Sequence, residues 1–177
     1  VKDKISLNIP AWLNQEAPIV AEKLLGCGLS FGGHSGIITE TEAYRGADDP
    51  ASHAYRGMTP RSSLMFKHPG TIYIYLVYGM YHCLNIVCER NGTPAAILIR
   101  GLRLENGIHL NGPGKLCRHL GLSIKQNGTQ LNTAAGIQLI ERETIPTHGV
   151  TPRIGIKKSQ EKLWRFVLTD IKSTQPD

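Results

Sequence analysis

The chain has 177 residues, 41% of them hydrophobic and 19% charged, which supplies one domain with a real core and hardly enough for two. That balance excludes a disordered or low-complexity chain, and no apolar run is long enough to span a bilayer. Twenty Lys and Arg against fourteen Asp and Glu leave a formal charge of +6, which favours polyanionic partners.

The charge alone is equally compatible with plain solubility, because the basic residues are dispersed and only Lys157 and Lys158 adjoin. Cys27, Cys83, Cys88 and Cys117 hold no C-x-x-C pair, so neither zinc nor any other metal is expected. Without a leader-like segment, the cysteines read as buried thiols of a cytoplasmic protein with no membrane partner.

In chain order, Asn14 to Leu25 predicts a helix, with Asn14 as cap, Pro18 in the first turn and Gly26 closing the end. Ile37 to Tyr44 reads as a strand. Gly46 to Pro69 is a long segment rich in turn residues, the kind of loop that carries function in a compact domain. Thr71 to Val77 and Tyr81 to Cys88 predict a hairpin bent at Gly79, with Asn85 roughly opposite Tyr75.

A turn at Glu89 to Gly92 leads into a strand from Ala95 to Arg100. Gly112-Pro113-Gly114-Lys115 opens a helix that runs to Leu120 and stops at Gly121. Ile137 to Glu141, Val150 to Ile156 and Trp164 to Thr169 read as further strands. Together these elements predict an α+β fold over residues 1–177: a single domain with a curved, largely antiparallel sheet, flanking helices and a protruding β-hairpin.

Two features bear on chemistry. On a strand, Glu40, Glu42 and Tyr44 share a face, so a carboxylate stands beside an aromatic ring; a solvated strand edge would give the same pattern. All six tyrosines fall between Tyr44 and Tyr81, and aromatic faces are what an unpaired base stacks on. Tyr73 and Tyr75 share one face of their strand, while Tyr78-Gly79-Met80-Tyr81 places large groups at a bend, where a wedge can part a base step. Gly112 to Lys115 offers free N–H groups and an ammonium to a phosphate, or is a simple helix cap.

The motifs Glu40-Thr41-Glu42-Ala43-Tyr44, Ala51-Ser52-His53, Thr59-Pro60-Arg61, Tyr73 to Tyr81, Gly112 to Cys117 and Arg153-Ile154-Gly155-Ile156, in that order, closely resemble the alkyladenine (3-methyladenine) DNA glycosylase family. The likeness extends from about Ile9 to Phe166. It implies an enzyme that flips alkylated or deaminated purines out of duplex DNA and hydrolyses the N-glycosyl bond. By the same resemblance Glu42 matches the general base, and Arg100 and the backbone of Ile154 help to hold the attacking water.

Tyr44, His53 and Tyr75 match the walls of the base pocket, Asn85 the residue that crowds the amine of guanine, and Tyr78 the wedge. Further DNA contacts are implied at Thr59, Arg61, Met80, Tyr81, Lys115 and Gly155. No lysine stands in the matched catalytic set, so a Schiff base and strand cleavage are not expected. The expected protein is a monomer acting on double-stranded DNA without a cofactor.

The chain departs from the family pattern in a short connection between Leu102 and Asn111, and in a run from His53 to Thr59 that is one residue shorter. Two other classes remain open: a non-catalytic damaged-DNA or RNA-binding module, and a small-molecule nucleosidase using the same carboxylate and stacking walls.

Overall fold

The computed structural model describes residues 8–169. Every strand pairing among them is antiparallel, and all nine strands join one curled sheet. The elements follow in chain order as α1 (Ala17–Leu24), β1 (Gly28–Phe31), β2 (His34–Tyr44), β3 (Ile72–Val77), β4 (Tyr81–Val87), β5 (Ala96–Leu104), β6 (His109–Asn111), α2 (Pro113–Leu120), β7 (Gln138–Ile140), β8 (His148–Thr151) and β9 (Arg165–Leu168). The α+β class and the curved sheet with flanking helices are those expected.

Two long strands, β2 and β5, form the spine. One edge of β2 is shared by β1 along His34 to Ile37 and by β9 along Glu40 to Glu42, so the sheet forks there. The edge of β5 divides likewise between β4 and β6. The β2–β5 ladder is irregular on both sides of Glu40, which increases twist and re-aims side chains. Gly101 makes this possible: a Cβ there would lie 2.5 Å from Thr39 Oγ1 and 3.0 Å from Glu40 Cβ.

Alternation along β2 then separates core from site. Thr41 and Ala43 are fully buried, with the Thr41 hydroxyl donating to the carbonyl of Ala21 in α1 at 2.8 Å. Glu42 and Tyr44 take the other face. The main core, filled by Leu13, Leu24, Ile38, Ile86, Ile97 and Ile99 among others, packs α1 and α2 against the sheet.

The first helix is shorter than the sequence suggests. Asn14 ends a separate 3-10 turn, Ala11–Asn14, and α1 starts at Ala17 with Glu16 in the cap position. Pro18 has no N–H and fits only the first turn, which sets the start just before it. The free N–H of Ala17 is taken by the buried carboxylate of Glu89, Oε1 at 3.0 Å.

The hairpin register also differs. Tyr73 pairs with Asn85 and Tyr75 with Cys83, because a three-residue connection between Val77 and Tyr81 fixes the pairing. Tyr78 and Gly79 both take positive φ there, 53° and 69°. The strand expected over Val150 to Ile156 ends at Thr151, where Pro152 cannot donate to a ladder, and the chain turns through Gly155 at φ 74°.

Strands β1 and β6 were not anticipated, although both carry a hairpin signal. Gly32-Gly33, with φ 61° and 83°, joins β1 to β2, and Asn106-Gly107 lies in the short turn between β5 and β6. No helix among the described residues is long and apolar enough to cross a membrane.

Candidate active site

A cleft of about 600 Å³ opens between β2, the β3–β4 hairpin, the start of α2 and the turn after β8. Its lining brings together Glu42 and Tyr44 from β2, Tyr75, Tyr78 and Tyr81 from the hairpin, and Arg100 from β5. His53 and Arg61 come from the long loop, Lys115 from α2, and Ile154 and Gly155 from the turn. These residues are far apart in sequence, and the sheet is what gathers them.

Glu42 is completely buried, and both of its oxygens are engaged. Oε1 accepts the backbone N–H of Ile154 at 2.7 Å, and Oε2 accepts the phenol of Tyr44 at 2.7 Å. Arg100 Nε lies 3.5 Å from Oε1. Burial raises the carboxyl pKa, while the Ile154 amide, the Arg100 guanidinium and the Tyr44 hydroxyl each pull it back down. The result is a carboxylate of increased basicity held in a fixed direction.

Tyr44 is locked as a donor, because burial and the adjacent Glu42 carboxylate push its phenol far above the usual range. Arg100 loses charge stability to burial but regains more from Glu42 and Glu40, so it stays a cation. Glu40 acts chiefly as an anchor. Its Oε1 receives Arg100 Nε at 2.8 Å and Arg165 Nε at 2.6 Å, orienting the arginine that faces Glu42.

The aromatic wall is built on the hairpin. His53 Nδ1 is hydrogen-bonded with the hydroxyl of Tyr73 at 2.9 Å, and its ring meets that of Tyr75 edge-on with centroids 4.7 Å apart. Burial, with the Arg61 cation nearby, lowers the His53 pKa to about 4, so the ring is neutral at physiological pH. The Arg61 guanidinium sits 5.4 Å above the ring of Tyr75.

At the hairpin tip, Tyr78 is 88% and Met80 65% exposed. A fold gains nothing by exposing such groups at a strained bend. Tyr81 packs instead on the start of α2, where a Cβ at Gly114 would come within 3.0 Å of its ring. Lys115 lies at the rim with its ammonium donating to Asn111 Oδ1 at 2.7 Å, and Gly112, at φ 132°, takes the cap position of α2 without a side-chain cap.

Three of the expected site residues do not line the cleft. Asn85 is buried and spends its side-chain amide on the carbonyls of Tyr73 and Cys83, at 3.1 and 3.2 Å. Thr59 closes a turn with Ser62, its N–H donating to Ser62 Oγ at 2.9 Å. Met80 stands beyond the cleft at the hairpin tip. Conversely, sequence reasoning passed over Asn111, Cys83 and Ile156, which the sheet and turn bring to the lining. Cys83 pairs with Tyr75 across the hairpin, and burial pushes its thiol up to about 11.

Residues 11–172 match the sequence profile of the methylpurine-DNA glycosylase family (MPG). The chain is similar to a protein of Ehrlichia chaffeensis named "Putative 3-methyladenine DNA glycosylase", with 49% identity over 166 residues, covering 91% of this chain and 92% of that one. Proteins of the same name from Sodalis glossinidius and from Wolbachia pipientis subsp. Culex pipiens are each 52% identical, the first over 83% of this chain and 88% of its own and the second over 86% of both.

Proposed function

Since the chain belongs to the methylpurine-DNA glycosylase family, we propose that it excises damaged purines from duplex DNA, a DNA-repair activity in which Glu42 directs water onto the sugar of a flipped nucleotide. The observation that carries this reading is the fully buried Glu42 carboxylate, aimed by Tyr44 and Ile154 into a cleft walled by tyrosines.

The chemistry follows from the groups present. A water oxygen attacks C1′ of the everted nucleotide, the N-glycosyl bond breaks with its electron pair leaving on the base, and Glu42 takes the proton from the water. A base is most effective when its pKa approaches the working pH, and burial moves Glu42 in that direction. The same carboxylate favours positive charge developing on the sugar. Arg100, anchored by Glu40, limits how far the Glu42 pKa can climb.

Extruding a base costs a few kcal/mol, and stacking on an aromatic ring returns roughly 1–3 kcal/mol per base. Tyr44 and Tyr75 offer such faces within the cleft, and Tyr78 at the tip is free to fill the gap left in the duplex. A purine alkylated at N3 or N7 carries positive charge, which aromatic faces attract, and it departs neutral without needing a proton. His53, neutral at physiological pH, is poorly suited to protonate a leaving base and serves as part of the slot.

Among the described residues, the lysine that lines the cleft is Lys115, at its rim and held by Asn111. The reading is therefore of hydrolysis without strand cleavage, by one domain acting as a monomer. The test is to incubate the protein with duplexes carrying 7-methylguanine and analyse base and strand separately. Free base with strands that break only after alkali supports the reading; borohydride trapping of a protein–DNA adduct would replace hydrolysis by amine chemistry.

A further inference from the structure

Arg153 and Asp49 form a pair that the mechanism above leaves unused. Both side chains are wholly buried, and the contact is bidentate across 104 residues of chain, with Nη1 to Oδ2 and Nη2 to Oδ1 both at 2.7 Å. Nη1 also donates to the carbonyl of Ala43 at 2.9 Å, and the guanidinium carbon lies 4.6 Å above the ring of Tyr44 and 5.3 Å from that of Trp164. Nε is buried with no hydrogen-bond partner among the described residues.

A buried ion pair is a poor source of stability, because removing two charges from water offsets much of their attraction. An orphaned Nε worsens that balance. What the pair does is connect. Ala43, whose carbonyl it grips, stands between Glu42 and Tyr44. Asp49 accepts the N–H groups of Arg45 and Ala51, at 3.1 and 3.3 Å, and so shapes the start of the loop that carries His53. Arg153 immediately precedes Ile154, whose N–H is the donor to Glu42. One ion pair thus ties the end of β2, the head of the loop and the turn after β8 together at the base.

Building on the glycosylase reading, we propose that Asp49 and Arg153 are positioning residues for the reaction: their buried ion pair holds the Ile154 amide on one oxygen of Glu42 and the Tyr44 phenol on the other. The guanidinium works on Tyr44 from the face of its ring, where a cation makes the phenol a better donor. Loss of the pair loosens both hydrogen bonds to the charged form of Glu42, and a carboxylate deprived of such bonds binds a proton more readily. A larger fraction of the base is then protonated at a given pH.

The test follows single-turnover release of 7-methylguanine from duplex DNA between pH 4.5 and 8 for the unaltered protein, Arg153→Lys and Asp49→Asn, normalised to the fraction that binds an abasic-site duplex. Arg153→Lys keeps the charge but cannot make the bidentate contact. Expected in both variants is a plateau rate roughly tenfold or more lower, and an acid limb displaced to higher pH by about half a unit or more, with abasic-duplex affinity changed less than about threefold.

An acid limb and a normalised rate equal to those of the unaltered protein overturn the inference and leave the glycosylase reading standing, as that outcome means the pair serves folding alone. Should neither variant fold, Trp164→Leu, which removes one packing face of the guanidinium, is read by the same profile, and an unmoved limb overturns the inference equally. Absence of base release by the unaltered protein overturns the glycosylase reading, and this inference with it.

Discussion

The backbone N–H of Ile154 reaches across 112 residues to donate to Oε1 of Glu42 at 2.7 Å. That bond opposes the effect of burial on a carboxylate that is completely hidden from solvent, yet the net shift of the Glu42 pKa is upward. Its charge is therefore less stable in the folded protein than in the unfolded chain.

A stability consequence is the first prediction. A group with its folded pKa raised contributes stability below its unfolded pKa, and that contribution is lost as pH rises through the folded value. The ionised form of Glu42 is thus a burden on the fold. Glu42→Gln keeps an acceptor for Ile154 and a polar partner for Tyr44 while removing the charge. Thermal unfolding at pH 7 is expected to give a Tm equal to or above that of the unaltered protein, with the difference shrinking as pH falls through the raised folded value and gone below the unfolded value of about 4.3, where the carboxyl is neutral in both states. A drop of several degrees at pH 7 would show that the charge supports the fold.

His53 gives a pH effect of opposite sign. Its pKa is depressed to about 4 by burial and by Arg61, against about 6.5 in an unfolded chain. The unfolded state therefore binds a proton first, and the stability associated with the neutral ring, present above about pH 6.5, is lost as pH falls towards 4. His53→Gln is expected to flatten the pH dependence of unfolding by urea in that window. A slope identical to that of the unaltered protein would place the acid sensitivity elsewhere.

Tyr78 is the case where structure predicts a loss of function without a loss of stability. It is almost fully exposed and its backbone is held at φ 53°, so Tyr78→Ala removes no packing. We expect an unchanged Tm within about a degree, duplex excision slowed roughly tenfold or more, and a smaller loss on a single-stranded substrate that needs no gap filled. Equal losses on both substrates would remove the wedge role.

Much of this site was legible in the sequence because its nearest relationships are local. Glu42 and Tyr44 are two residues apart on one strand, and period-two alternation alone puts them on one face. The bend at Gly79 and the helix between Gly112 and Gly121 were set by residues whose backbone preferences are strong. The hairpin register was not, because it depends on the length of the connection between Val77 and Tyr81, and a shift of two positions moves Asn85 from Tyr75 to Tyr73.

Arg153 was illegible for a different reason. Its partners Ala43, Asp49 and Tyr44 lie more than a hundred residues away, at separations of 110 and 104 for the first two, and nothing in the run Thr151 to Ile156 announces them. Pro152 and Gly155 were the local signs that a strand could not continue there, and the alternating hydrophobic pattern obscured them. Strands β1 and β6 were missed despite Gly32-Gly33 and Asn106-Gly107, whose turn signal is strong but whose flanking strands are only three to four residues on the short side.

The central claim is that Glu42 performs the chemistry and the remainder of the cleft presents the base. It is tested most directly by comparing the unaltered protein with Glu42→Gln in single-turnover release of 7-methylguanine from duplex DNA, alongside binding to the same duplex. The account predicts release by the unaltered protein, a loss of roughly a hundredfold or more in the variant, and binding retained within a few-fold. Equal release by both proteins would contradict it.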